Sequence, residues 1–140
     1  MKYKPLKRII QEDSSGCGLA CIAMLAKTSY KNVKKIALKK LEFSPSGPFY
    51  TDTNDLRKLA KHFGIELGQK RVPVKCLDRL PKLAILAINY QKRKNTWHWV
   101  LYVKEENDKF VYDPKKTIKT EKRRDFGRMK PRWYVLVKST

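Results

Sequence analysis

The sequence lacks the features of a membrane-spanning or secreted protein. Its longest apolar runs, around residues 83–88 and 97–103, are far shorter than the roughly 18 residues that a membrane span requires. The N-terminus is basic, but no apolar run of signal-peptide length follows it. We therefore expect a protein that is cytoplasmic as written, or that is delivered or exported as part of a larger system.

Cysteine is scarce, and its odd count argues against a disulfide framework. The three cysteines are Cys17, Cys21 and Cys76, and no secretory signal accompanies them. Cys17 and Cys21 are spaced to share one face of a helix, but no second close pair of ligands completes a zinc site. We expect neither a metal nor a cofactor.

Acidic residues are also few. Asp and Glu total 13 against 33 Lys and Arg, which gives a net charge of +20. Residues 115–132 form a basic segment with nine basic and two acidic residues. Such a field attracts polyanions, so nucleic acid, an anionic membrane surface or an acidic protein are possible partners. The alternative is a solvated basic surface that keeps the protein soluble, since no recognised nucleic-acid motif is present.

The length of 140 residues suits one compact domain, spanning 1–140. Hydrophobic periodicity predicts helices at 17–26 and 32–41, and a third helix that Thr53 caps and Gly64 ends. A short helical turn is predicted at 77–80 and strands at 84–90, 97–104, 109–112 and 133–137. Because the helices precede the strands, we predict an α+β fold with N-terminal helices packed on a C-terminal antiparallel sheet.

Cys17 is the first candidate for chemistry. A thiol attacks as the thiolate, and a helix N-terminus stabilises a negative sulfur through its dipole and its free N–H groups. Cys17 stands where a polar loop meets the apolar run of the first predicted helix. We expect Ser14 and Ser15 to cap this helix. Gly16 and Gly18 are expected to leave room for a substrate backbone, although a cysteine at a helix start is also compatible with a purely structural role.

His98 is the histidine that the pattern places near a thiol. It begins a predicted strand in which period-two alternation puts it on one face with Val100 and Tyr102, opposite the flanking tryptophans. A histidine at the start of a strand can lie at the edge of a cleft, where one of its ring nitrogens can reach a thiol. The alternative is a surface or core histidine held by one hydrogen bond. The second histidine, His62, falls in an amphipathic helix and is interpreted as a surface residue.

Asp113 and Gln11 complete the candidate set. Asp113 ends the return strand of a predicted hairpin whose turn lies near 106–107, which would set it opposite His98 and let it accept the imidazole Nδ1–H. The alternative is a strand-ending Asp-Pro turn. The side-chain amide of Gln11 is able to donate to an oxyanion, with the Cys17 backbone N–H as the second donor. The alternative for Gln11 is a polar residue that ends the N-terminal segment.

These motifs together resemble the papain-like peptidase domain that processes bacteriocin and pheromone leaders after a double glycine, at the N-terminus of peptide exporters. The resemblance runs through Gln11-x5-Cys17-Gly-x-Ala-Cys-x-x-Met24, Asp55-Leu56-x-x-Leu-Ala-x-x-x-Gly64-Ile65, His98-Trp-Val-Leu and Tyr112-Asp113-Pro114. It implies a papain-like cysteine peptidase fold with Cys17 as nucleophile, His98 as base, Asp113 as orienting residue and Gln11 in the oxyanion hole.

Three functions remain open at this point. The leading prediction is a cysteine peptidase that acts on a peptide or protein substrate through an acyl-enzyme. The first alternative is a papain-fold toxin or effector domain that acts on RNA or DNA through the basic surface. The second alternative is an inactive module that binds a peptide in the same cleft.

Overall fold

The computed structural model describes residues 5–139, and its helices precede its main strands. Helix α1 spans Cys17–Ala26, α2 spans Tyr30–Lys40 and α3 spans Thr53–His62. The later elements are β1 (Glu66–Leu67), β2 (Val72–Pro73), a 3₁₀ turn (Leu77–Arg79), β3 (Leu83–Gln91), β4 (Thr96–Glu105), β5 (Asp108–Tyr112), α4 (Phe126–Met129) and β6 (Trp133–Ser139). Within residues 5–139, no helix has the length and hydropathy needed to cross a membrane.

The strands form one antiparallel sheet in the order β1-β6-β3-β4-β5, with β2 also paired to β6. The two strands that supply His98 and the lead into Asp113 are β4 and β5, neighbours at one side of this sheet. Helices followed by an antiparallel sheet confirm the predicted α+β fold class.

Helix α1 is the centre of the molecule because nearly all of it is apolar. Residues 17–25 are buried without exception, as expected for a helix that is hydrophobic on every side. The predicted caps, however, are wrong. The N-cap is Gly16 with no side-chain cap, and the Ser15 hydroxyl instead accepts a hydrogen bond from the Phe49 N–H at 2.7 Å.

Helix α3 is capped one residue earlier than predicted. Asp52 and not Thr53 is the N-cap, and the side chains of Asp52 and Asp55 each accept a bond from the other residue's backbone N–H, which completes a capping box. The helix ends as predicted, since Gly64 follows it with φ of 75°, in the left-handed region that glycine adopts without strain.

Both faces of the central sheet are buried, and alternation along β4 divides its side chains between two cores. Trp99, Leu101 and Val103 join the larger core, beneath helices α1 to α3. Val100 and Tyr102 join the smaller core on the opposite face, which α4 and the region of the 3₁₀ turn cover. This is the division of faces predicted from the sequence.

The β4–β5 hairpin has a different register from the predicted one. The turn places Glu105 opposite Asp108, so that Asp113, extended by this register, comes opposite Val100 and not opposite His98. The shift is two residues, and a shift of two leaves every side chain on its predicted face. His98 and Asp113 are therefore diagonal neighbours on one face, a separation that long side chains span. No glycine or proline marks the turn, so the sequence alone could not set its position.

Candidate active site

Cys17 is the first residue of α1, and its sulfur lies against the start of β4. The Trp99 backbone N–H points to the Cys17 Sγ across 3.4 Å. The first N–H groups of a helix have no partner inside the helix, and they face outward at the end where this sulfur sits. Only 8% of Cys17 is exposed, so the sulfur is reached through a narrow opening. The position at a helix start predicted for Cys17 is confirmed.

The glycines that flank Cys17 make room for the protein itself and not for a substrate. A Cβ at Gly16 would lie 1.9 Å from the Tyr30 hydroxyl oxygen. A Cβ at Gly18 would lie 2.0 Å from the Thr51 Oγ1. The expectation that these glycines keep space for a substrate backbone is therefore wrong, because side chains of α2 and of the loop before α3 fill that space.

His98 and Asp113 meet directly. The His98 Nε2 and the Asp113 Oδ1 are 2.6 Å apart. The bonded nitrogen is Nε2 and not Nδ1 as expected from the sequence. The Cys17 side chain lies near the same imidazole and acts to raise its pKa. One ring thus neighbours both the thiol and the carboxylate.

The Asp113 carboxylate is fully buried and accepts three hydrogen bonds. Its Oδ1 receives the His98 bond and one from the Lys115 backbone N–H at 2.9 Å, and its Oδ2 receives one from the Arg123 guanidinium at 2.7 Å. Arg8 donates from Nε to the Asp113 backbone carbonyl at 2.6 Å. A buried carboxylate is costly unless it is paired and hydrogen-bonded, and this one is both.

Sequence reasoning missed Arg8 and Arg123. Arg123 lies within the basic segment, and nothing in its local pattern signals a partner. The pairing depends on the chain folding back, so that Val111 and Arg123 exchange two backbone hydrogen bonds of 2.9 Å. Arg8 and Arg123 both contact Asp113, but each is too far from it along the chain for the sequence pattern to indicate the contact.

The electrostatics of the pair favour a charged imidazolium beside a charged carboxylate. Burial acts to lower the pKa of His98, but the bond to Asp113 and the nearby Cys17 outweigh burial and raise that pKa to about 9. Burial acts to raise the pKa of Asp113, but the bond from His98 and those from Lys115 and Arg123 hold it below its usual value. At neutral pH the two groups form an ion pair.

Gln11 lies beside this cluster, but its amide is engaged locally. Its Nε2 donates to the backbone carbonyls of Asp13 and Ser14 at 2.9 and 3.0 Å, while its buried Oε1 has no partner. The Gln11 backbone N–H donates to the Pro114 carbonyl at 2.9 Å. Gln11 therefore fastens the loop before Cys17 to the residue after Asp113, and in this conformation its side-chain N–H groups face that loop.

A small cleft of about 50 Å³ opens over the Cys17 sulfur. Its walls come from the loop before α3 and from the start of β4. The lining residues are Cys17, Tyr50, Thr51, Asn95, Thr96, Trp97 and Trp99. A space of this size leaves little room for a bulky side chain.

The other two thiols are placed differently. Cys21 is fully buried, and burial together with the nearby Cys17 and Asp113 raises its pKa well above the ordinary value. Cys76 is exposed, and all three cysteines are free. In the part of the chain that the structure describes, no three His, Cys, Asp or Glu side chains are grouped as metal ligands.

The basic segment is partly occupied by contacts within the protein. Arg124 makes a two-pronged ion pair with Asp108, with distances of 2.9 and 2.7 Å. Lys122 and Arg124 also lie over the Phe110 ring, at 4.8 and 5.5 Å from its centroid. Several of its charges therefore serve to hold the segment against β5.

A helix-borne thiol beside an imidazole that bonds a buried carboxylate, on helices packed against an antiparallel sheet, is the arrangement of papain-like cysteine peptidases. The chain belongs to the peptidase C39 family, whose model matches residues 6–139.

Similar proteins agree with this assignment. The chain is 30% identical over 114 residues to the pediocin PA-1 transport/processing ATP-binding protein PedD of Pediococcus acidilactici. The match covers 80% of this chain and 15% of that protein, so the chain spans a small part of its relative's length.

Two solved structures share the fold. The peptidase domain of Streptococcus ComA, a bi-functional ABC transporter involved in a quorum-sensing pathway, superposes with a TM-score of 0.67 at 17% identity, over 97% of this chain and 100% of that one. A double-glycine motif protease from an AMS/PCAT transporter, in complex with the leader peptide, superposes with a TM-score of 0.62 at 18% identity, over 97% and 93% of the two chains.

Proposed function

We propose that this peptidase cleaves a peptide after a pair of glycines, with Cys17 as nucleophile, His98 as acid and base, and Asp113 as the orienting residue. The observation that carries the proposal is the 2.6 Å contact between His98 and the buried Asp113, with Cys17 close enough to the same imidazole to raise its pKa. The three residues come from α1, β4 and the end of β5, and the packing of these elements is what brings them together.

The chemistry follows from the charges. The Cys17 thiolate attacks the carbonyl carbon of the scissile bond and forms a tetrahedral adduct, while His98 remains protonated as the imidazolium. His98 then gives its Nδ1 proton to the leaving amine, the carbon–nitrogen bond breaks, and an acyl-enzyme remains. Neutral His98 next takes a proton from water, whose oxygen attacks the thioester and releases the acid and the thiolate. Asp113 stays ionised throughout and keeps Nε2 protonated.

The developing oxyanion needs donors, and the start of α1 supplies the first. The Cys17 backbone N–H belongs to the unpaired first turn of the helix. We propose the Gln11 side-chain amide as the second donor. When substrate binds, this amide would break its hydrogen bond to the Asp13 or the Ser14 carbonyl and donate to the oxyanion instead. The two carbonyl bonds of 2.9 and 3.0 Å hold the amide beside the loop until then.

The shape of the cleft supports glycine as the residue before the scissile bond. The cleft lies between the loop at Thr51 and the tryptophans of β4, and its volume is about 50 Å³. Trp99 is fixed there because its indole N–H donates to the Thr51 carbonyl at 2.9 Å. A wall held in this way does not widen easily for a larger side chain. The related double-glycine protease supports the same preference.

We further propose that residues 1–140 act as one domain that matures a leader-bearing peptide for export, on the cytoplasmic side of a membrane. The relation to a transport/processing protein supports this role. Three free cysteines, one of them the nucleophile, also suit a reducing compartment. An acidic partner or a nucleic acid at the basic surface stays a prediction, as do the toxin and the inactive-module alternatives.

The test is cleavage of a synthetic leader peptide that carries Gly-Gly before its cargo, followed by mass spectrometry. Cleavage should occur after the second glycine and should disappear in Cys17→Ala and in His98→Ala, while circular dichroism shows both variants folded. Cys76→Ala is the matched control, because it removes an exposed thiol and should cleave like the wild type. Substrates with Ala-Ala at the same positions should be cut much more slowly. Cleavage that survives in Cys17→Ala would refute the proposal.

A further inference from the structure

Asp113 has a second ionic partner besides His98. The Arg123 Nη1 donates to the Asp113 Oδ2 at 2.7 Å, while His98 occupies Oδ1. The Arg123 side chain is only 12% exposed, and its backbone is locked to Val111 by two hydrogen bonds. The guanidinium is thus held in one place, on the carboxylate oxygen that the imidazole does not use.

The outer edge of the same guanidinium is also occupied. Arg123 Nε and Nη2 donate to the two carboxylate oxygens of Asp125 at 2.7 and 3.3 Å. Arg123 therefore lies between a fully buried carboxylate and a partly exposed one. A planar fork that binds on two edges suits this bridging position, which a lysine ammonium would fill less completely.

We propose that Arg123 is a positioning residue for the reaction, which orients the Asp113 carboxylate and shares its negative charge with His98. This inference rests on the proposed function of Cys17, His98 and Asp113. It extends that function to a residue that lies in the basic segment, ten positions after Asp113 in the chain.

The physical reason lies in the proton cycle of His98. When His98 is neutral, the buried Asp113 carboxylate would have no charged partner on the catalytic side, and an unpaired buried charge is costly. Arg123 supplies a partner in both halves of the cycle. It also weakens the hold of Asp113 on the imidazolium, which must release a proton to the leaving amine.

Several groups face this pair, and their charges set its titration. Cys17 and Cys21 approach from α1, His98 from β4, and Arg8 from the N-terminal segment through the Asp113 carbonyl. From the basic segment come Arg123 and its partner Asp125, and the backbone N–H of Lys115. Among these, Arg123 and Asp125 can be changed without removing a member of the proposed triad.

The test compares Arg123→Gln with Arg123→Lys and with Arg124→Gln. Arg124 is the matched control, since it neighbours Arg123 in sequence but pairs with Asp108, away from the triad. NMR follows the protonation of the His98 ring as pH rises, and cleavage of the Gly-Gly peptide gives kcat/KM over the same range.

In Arg123→Gln we expect the His98 titration to move upward by about half a pH unit or more, because a neighbouring positive charge is lost. The alkaline limb of kcat/KM should move with it, and kcat should fall about tenfold. Arg123→Lys should restore the titration toward the wild-type position. Arg124→Gln should leave both readouts unchanged. Asp125→Asn, which removes a negative charge and leaves Arg123 in place, should shift the titration downward.

The sign of the shift separates a positioning role from a merely structural one. If Arg123 only holds the segment in place, its loss loosens Asp113, and the His98 titration moves down toward that of an ordinary histidine. That result, or no shift in either Arg123→Gln or Asp125→Asn, would overturn the inference. If Arg123→Gln does not fold, Arg123→Lys decides between the two roles: a His98 titration near the wild-type position supports the positioning role, and a downward shift overturns it. The NMR titration needs no substrate, so a wild type that cleaves no peptide would refute the proposed function and leave this inference separately measurable.

Discussion

The protonation state of His98 is the quantity that the site geometry controls most directly. With its pKa raised to about 9, His98 should be about 97% protonated at pH 7.5. In Asp113→Asn the carboxylate charge is gone while burial remains. The pKa of His98 should then fall back toward the ordinary value of 6.5, which leaves about a tenth of the rings protonated at that pH.

The substitution also disturbs Arg123. The asparagine side chain has the shape of the carboxylate that it replaces, and it keeps one oxygen for His98 and the Lys115 N–H. Its amide nitrogen then faces the Arg123 guanidinium, donor against donor. Asp113→Asn should therefore lower peptide cleavage strongly even where the protein stays folded.

The same shift predicts how stability depends on pH. A rise from 6.5 to about 9 corresponds to about 3 kcal/mol in favour of the folded state when His98 is protonated. Because the folded pKa is the higher one, this stabilisation is complete below pH 6.5 and is lost as pH rises through about 9. Part of this rise comes from Cys17, which Asp113→Asn keeps, so the gap in unfolding free energy between wild type and Asp113→Asn should narrow by up to about 3 kcal/mol between pH 6 and pH 10.

Two measurements check this prediction. NMR of the imidazole carbons follows His98 directly, and a His62→Gln background leaves one histidine signal because the chain has two histidines. Urea unfolding at several pH values gives the free energies. Asp78→Asn is the matched control, since Asp78 is an exposed residue paired with Lys109. A wild-type His98 that titrates near pH 6.5, or one that titrates alike in wild type and Asp113→Asn, would refute the reasoning.

Three further outcomes are expected. Iodoacetamide at pH 6 should alkylate Cys17 before Cys76, although Cys76 is the exposed one, because Cys17 stands at the start of a helix beside the His98 imidazole; peptide mass spectrometry would show the opposite order if the nucleophile is misassigned. Gly18→Ala should lower the free energy of unfolding by roughly 1–3 kcal/mol, because its Cβ would lie 2.0 Å from the Thr51 Oγ1. Gly127→Ala, whose Cβ has no neighbour within 4 Å, should not, and equal effects would contradict the packing argument. With its net charge of +20, the protein should bind RNA or DNA at low salt, with an affinity that falls by roughly 0.9 log units per log unit of salt for each duplex phosphate contacted; a filter-binding series that shows no binding at low salt would remove the nucleic-acid prediction.

Much of the fold could be predicted from the sequence because its signals are local. The apolar run after Cys17 and the alternation around His98 indicate a buried helix and a strand with two distinct faces, and both are present. Element ends are harder to predict. Helix α2 begins at Tyr30, two residues before the predicted start, and periodicity does not predict the four-residue helix α4. Short elements carry too few residues for periodicity to reveal them.

The residue types at the proposed triad were also accessible from sequence, since the order of Gln11, Cys17, His98 and Asp113 matches a family pattern. Their roles stay predictions. The period-two alternation of a strand predicts the face on which each side chain lies. The predicted register was wrong by two residues, but a shift of two keeps each side chain on its face, so His98 and Asp113 still lie on the same face and in contact.

Only the tertiary structure decided which groups surround these residues. It places Arg123 on Asp113, engages the Gln11 amide with the Asp13 and Ser14 carbonyls, and fills the space at Gly18 with Thr51. Each of these contacts depends on how a loop returns to the core, and neither composition nor residue spacing predicts the path of that loop. The sequence by itself thus determined the elements and the chemical types of the site, because these depend on neighbours along the chain. The charge balance and the width of the cleft depend on neighbours in space.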